Sequence, residues 1–261
     1  GLRSVPTLNM ASSQVTLAAL TLTSFALLRG ERFPGRRERN LWVHLGLVGL
    51  TRFTLGQTGF ILALMFLPAS SVAFLLSFIT VTVLVFGVLF LREVPTLWQG
   101  AGVALAILGA YLFFALDPWQ GGWLGVLFII LNLLAFSTYN ILVRRLGRDR
   151  RMGNLTLTAA TMLIGSLPML VAALVVEGWP DWRQLGWPGL VAIAWGGLLD
   201  TALGVFIWNW ALRYMHAFEV TVVARLQMIQ VAFLGWLLLG EEMGPRKWVG
   251  IVVTLIGIVL V

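Results

Sequence analysis

Nine apolar stretches follow one another along 261 residues, at 8–28, 41–66, 69–91, 96–115, 121–144, 153–176, 187–212, 217–239 and 246–261. Most are long enough to cross ~30 Å of hydrocarbon as a helix. Inside a bilayer an open backbone N–H or C=O has no water to bond, so each stretch must close its own hydrogen bonds as a helix. Hydrophobic residues make up 59% of the chain and charged ones 11%, far from soluble usage. These facts predict an all-α polytopic membrane protein with no soluble domain. Sharp breaks support the division: Pro68, Pro95, Pro118, Pro180, Pro188 and Pro245 fall between or at the edges of stretches, and only Pro168 lies inside one, where it is expected to kink the helix.

The net charge of +7 does not form a nucleic-acid patch, because the cations sit in short connections. Residues 29–40 hold five Arg, residues 144–152 hold five more, and Arg92 and Arg213 complete one side. The other side has Arg3, Arg183, Arg246 and Lys247. Twelve cations against four place the first set of connections and the C-terminus in the cytoplasm.

Three charges do not fit this pattern of charged loops. Asp200 and Arg225 lie within the apolar runs of Trp187–Glu241, and Arg52 lies inside 41–66. Each costs roughly 2.5–3.5 kcal/mol at mid-depth on insertion scales, so the default reading is a functional site. A bridge from Asp200 to Arg52, to Arg225 or to both would satisfy the carboxylate and leave guanidinium donors over. The bland alternative is a buried ion pair that fixes helix docking.

The chain also repeats itself. Shifted by 148 positions, Ala63, Leu64, Ala69, Val72, Gly87, Leu89, Glu93, Gly102 and Gly109 fall on Ala211, Leu212, Ala217, Val220, Gly235, Leu237, Glu241, Gly250 and Gly257. In this register Arg52 lies opposite Asp200. Such a repeat in a membrane chain suggests two related bundles with a site where they meet.

The stretches "LLSFITVTVLVFGVLFLREVPTLWQGAGVALAILGAYL" and "VARLQMIQVAFLGWLLLGEEMGPRKWVGIVVTLIGIVLV" resemble the second part of an EamA-type repeat of the drug/metabolite transporter superfamily. A Leu-rich helix ends in Glu, here Glu93 and Glu241, and a Gly-rich helix follows. "LAFSTYNILVRRL" at 134–146 resembles the first helix of the second repeat. The resemblance implies ten helices in two inverted repeats of five, with residues 1–116 the first repeat and 117–261 the second. It also implies that the first helix is missing before Gly1. The Pro that the family often carries thirteen residues before the Glu is Thr80 in one repeat and Met228 in the other.

At 100° per residue the face of Arg52 continues through Gly56, Gly59 and Ala63, and that of Asp200 through Gly204, Ile207 and Ala211. Small residues under a charge mean close approach, by a neighbouring helix or by a water-filled cavity. Asn132, Tyr139 and Asn140 on one helix either line that cavity or bond across helices. Phe60 and Trp195, with Phe53, are candidate walls. The substrate-binding candidates are therefore Arg52, Asp200, Arg225, Asn132, Tyr139, Asn140, Phe60 and Trp195. Gln227 and Gln230 read as interhelical glue, His216 and Glu219 as a solvated hinge, and Trp208 and Trp210 as an interfacial belt.

No HExxH, GxSxG or P-loop occurs, and there is no Cys. The expectation is no enzyme, no cofactor and no metal, and no nucleotide domain to drive transport. What remains is a secondary-active or facilitative inner-membrane carrier, an exporter working by alternating access. Its partners would be membrane lipid and a small anionic or zwitterionic metabolite such as an amino acid, and a homodimer is compatible with the sequence. A non-transporting scaffold or accessory subunit is the alternative.

Overall fold

The computed structural model describes residues 7–31, 33–35, 37–67, 72, 75, 76, 78–92, 94, 96–114, 122–148, 152–180, 186–224, 249, 250, 252, 253, 256, 257 and 260. The described residues form helices, turns and short connections. In order these are α1 Thr7–Leu28, α2 Arg39–Phe66, α3 Ile79–Leu91, α4 Leu97–Phe114, α5 Trp123–Arg148, α6 Asn154–Glu177, α7 Gly186–Tyr214 and α8 Ala217–Ala224. Five of them, α1, α2, most of α5, α6 and α7, are long and apolar enough to cross a membrane. The bounds of α1, α2, α4, α5, α6 and α7 follow the apolar stretches closely, whereas α3 begins at Ile79, ten residues into the stretch 69–91. Helix α6 runs unbroken through Pro168.

The chain forms two compact units, residues 1–61 with 134–214 and residues 62–133 with 215–261. Each unit draws on both halves of the sequence.

In the first unit α6 is the central helix, packed along α1 and against α2. Glycine permits the closest approach. A Cβ on Gly49 of α2 would collide with the carbonyl oxygen of Thr161, and one on Gly165 of α6 with the carbonyl oxygen of Gly49. Here the two backbones touch, as small residues allow between membrane helices. The Thr54 hydroxyl adds a bond to the Gly165 carbonyl at 3.3 Å. Helix α7 meets α1 in the same manner, with Gly196 and Gly197 under Gln14 and Leu17. Gln14 Nε2 also donates to the Ala192 carbonyl at 3.2 Å. Around these contacts Leu8, Val15, Ala18, Ala19, Phe53, Met162, Met169 and Val205 form an apolar core.

Polar groups close the helix ends. The Glu177 carboxylate, at the C-terminus of α6, accepts from the backbone N–H of Leu8 at 2.9 Å and of Asn9 at 2.7 Å. It thus satisfies donors that the first turn of α1 cannot satisfy itself, at the positive end of the helix dipole. Toward the other end of α6, Glu31 accepts from the Thr156 hydroxyl at 2.8 Å, and the Arg213 guanidinium donates to the Met152 carbonyl.

In the second unit α3 packs on α8, and Phe66 stacks on Phe128 with ring centres 5.8 Å apart. Gly257 sits against Gly102 and Ala106 of α4 without room for a Cβ. Glu219 accepts from the His216 backbone N–H at 2.8 Å and meets its ring Nδ1 at 3.0 Å. The pair expected as a solvated hinge keeps a part-exposed His216 ring, and Glu219 reaches back to cap the first turn of α8.

Candidate functional site

Helices α2 and α7, the two that carry the mid-span charges in equivalent halves, share a backbone irregularity. Leu50–Gln57 in α2 and Gly196–Leu203 in α7 are wound as π-helix, flanked on both sides by ordinary α-helix. Arg52 lies in the first π segment and Asp200 in the second. Arg52 also stands at the middle of a 28-residue span and Asp200 at the middle of a 29-residue one. Wide π turns are rare and occur disproportionately at functional sites. The 100° periodicity that places Gly56, Gly59 and Ala63 under Arg52, and Gly204, Ile207 and Ala211 under Asp200, does not carry across these segments. The two strips also differ in packing: Gly56, Gly59 and Ala63 are buried, whereas Gly204 and Ile207 are exposed.

Arg52 is half-buried among rings. Its guanidinium carbon lies 5.0 Å from the ring centre of Phe136, 5.7 Å from that of Tyr139 and 5.7 Å from that of Phe53. All three distances are within cation–π range. One guanidinium nitrogen donates to Gln57 Oε1 at 3.3 Å. This contact depends on the winding. At 100° per residue, side chains five apart point roughly 140° away from each other, and a π segment brings them onto neighbouring positions by closing its backbone bonds from i to i+5.

Tyr139 is fully buried and ties α5 to α7. Its hydroxyl donates to Asn209 Oδ1 at 2.5 Å, and Asn209 Nδ2 donates to the Thr158 hydroxyl of α6 at 3.0 Å. The Tyr139 hydroxyl oxygen also lies close enough to interact with Arg52. Beside it, Asn140 Oδ1 accepts from Trp208 Nε1 at 2.9 Å, and the Trp208 ring meets Phe136 edge-on at 5.6 Å. Asn140 Nδ2 turns back to the Phe136 carbonyl. Tyr139 and Asn140 thus take the second of their two expected roles, bonding between helices, and Trp208 faces inward rather than serving as an interfacial belt.

The expected bridge from Asp200 to Arg52 does not form. Asp200 attracts the guanidinium electrostatically, but no salt bridge joins them, and Asp200 is exposed on α7. The rings and Gln57 stabilise the cation instead, which removes the need for a direct counter-ion. Arg225 lies outside the described residues, as do Gln227, Gln230, Glu93 and Glu241.

Among the other candidates, Phe60 packs against the apolar core of the first unit and Trp195 is exposed. Asn132 is buried but belongs to the second unit. The structure therefore sets Arg52 beside Tyr139, leaves Asp200 exposed without a salt bridge to Arg52, and adds Gln57, Phe136, Asn209 and Thr158, which sequence reasoning did not single out. Spacing alone could not flag Gln57, because five residues is the wrong interval for a regular helix. Asn209 carried a weak signal, as an amide within the same apolar run as Asp200.

Chemically the centre is a guanidinium whose planar fork has five donors, with aromatic rings about it and a weak amide partner. The Asp200 carboxylate is exposed and makes no salt bridge to it.

Comparison with known proteins identifies the family. The profile of the EamA-like transporter family matches residues 1–115 and 123–261. The permease-like protein YdzE of Bacillus subtilis is 34% identical over 61 residues, which are 23% of this chain and 78% of that protein. A crystal structure superposes with a TM-score of 0.79 at 15% identity, covering 98% of this chain and 89% of its own, and so shares the fold. The match across both halves leaves no doubt about kinship: the chain belongs to the EamA-like transporter family.

Proposed function

We propose that this transporter carries a small anionic or zwitterionic metabolite such as an amino acid out of the cell, by alternating access, without ATP. The observation that carries this reading is the placement of Arg52 and Asp200. Both stand at mid-span, in π segments of equivalent helices, and neither neutralises the other through a salt bridge. An exposed carboxylate in hydrocarbon is too costly to be kept for packing alone, whereas one lining an aqueous route is cheap. With Arg225 counted, the three charges leave one positive in excess, which favours an anionic oxygen on the cargo. The repeats 1–116 and 117–261 would be the two halves that rock about the site. In this reading the chain lies in the inner membrane, and the Arg-rich connections favour a cytoplasmic C-terminus.

The test is counterflow of the twenty radiolabelled L-amino acids in proteoliposomes of the purified chain. Arg52→Met and Asp200→Asn should each remove transport of the best-carried one, with insertion and melting unchanged. Normal transport by Arg52→Met, or a wild type that moves only lipophilic cations, overturns the reading.

A further inference from the structure

We infer that Gln57 is a specificity-determining residue whose amide oxygen holds, in the resting site, the place on Arg52 that an anionic oxygen of the cargo takes. The inference rests on the reading of Arg52 as the substrate's cation. Three observations support it. Gln57 Oε1 accepts from the Arg52 guanidinium at 3.3 Å, just beyond the usual range for a firm bond, beside the Tyr139 hydroxyl. The contact is part-buried and lies between two side chains of one π segment, so exchange of the partner needs no movement of another helix. The rings of Phe53, Phe136 and Tyr139 give Arg52 a setting that does not depend on Gln57.

Both acceptors bond an ionised donor, but a carboxylate oxygen adds a full opposite charge and a shorter bond than a neutral amide oxygen makes, so it is the stronger partner. Cargo would therefore displace Gln57, while water, no better an acceptor than the amide, would not. The amide keeps one donor of the half-buried guanidinium partnered between turnovers and discriminates against neutral ligands. It also lowers apparent affinity, because the binding-competent fraction is the one in which Gln57 has let go.

This assigns opposite signs to two substitutions. Gln57→Ala removes the internal competitor and should lower KM about threefold, a modest release suited to one long hydrogen bond. Gln57→Asn, too short to reach, should behave like Gln57→Ala. Gln57→Glu places a permanent anion on Arg52 and should raise KM by about tenfold or more, the equivalent of one charge-assisted bond.

The experiment is the same counterflow assay on the full chain, with KM for the best-carried of the twenty L-amino acids. Peptide-resolved labelling of Arg52 with phenylglyoxal serves as a second readout. Labelling should rise in Gln57→Ala and fall in Gln57→Glu. If Gln57→Ala and Gln57→Asn raise KM, Gln57 touches the cargo or is purely structural, and the inference is wrong. If labelling is the same in all variants, Gln57 does not occupy the guanidinium and the inference is again wrong. Failure of the wild type to carry any of the twenty, or normal transport by Arg52→Met, removes the functional reading as well.

Discussion

The Tyr139 hydroxyl donates to Asn209 Oδ1 at 2.5 Å, between two side chains that are both fully buried. Because Asn209 passes its own amide to Thr158, this bond joins α5, α7 and α6 behind the guanidinium of Arg52. Losing either partner strands a polar atom buried away from the surface.

Tyr139→Phe should therefore lower stability by about 1–3 kcal/mol, the cost of an unmet buried acceptor. Thermal melting in detergent checks this. The double variant Tyr139→Phe with Asn209→Leu should lose less than the sum of the singles, since the second change removes the orphan.

The contact between Gly49 and Gly165 makes a sharper contrast within one helix. A Cβ at Gly49 meets the backbone of α6, whereas one at Gly46 meets nothing within 4 Å. Gly49→Ala should cost about 1–3 kcal/mol by overpacking. Gly46→Ala should stabilise by about 0.5–1 kcal/mol through helix propensity. Melting curves of the two variants, run side by side, would show shifts of opposite sign.

Since Arg52 and Asp200 share no salt bridge, their neutralisations should be close to independent in stability. Arg52→Gln and Asp200→Asn, alone and together, are expected to add within about 0.5 kcal/mol. A rescue of expression by the double variant would mean that the two charges pair in the folded membrane state.

Orientation follows from the Arg-rich connections. A reporter active only in the cytoplasm, fused after Val261, should give signal, and one active only in the periplasm should not.

The spans were legible in the sequence because hydropathy, proline and the cost of open backbone groups act locally. The mid-membrane charges were legible for the same reason, and Arg52 and Asp200 do stand at the centres of their spans. Winding was not legible. Nothing in "LTRFTLGQ" or "GGLLDTAL" announces a π segment, and a fixed 100° step carried the face of Arg52 past Gln57. Inward and outward faces were also hard to separate, because lipid and protein interior are equally apolar. Hence Trp208 reads as an interfacial anchor in sequence and bonds Asn140 in the structure. Asn132 and Tyr139, seven residues apart on one helix, fall in different compact units, a division that only long-range contacts reveal.

The carboxylate of Glu177 bears on how the chain is made. It closes the first turn of α1 from 168 and 169 residues further along the chain. At a synthesis rate of about 5–20 residues per second, that partner reaches the membrane roughly ten to thirty seconds after α1 does. Until then α1 has its end donors open and its Gly-lined neighbours absent, so it must wait in the translocon or at the lipid headgroups. Completion of α6 is the event that locks α1 in place.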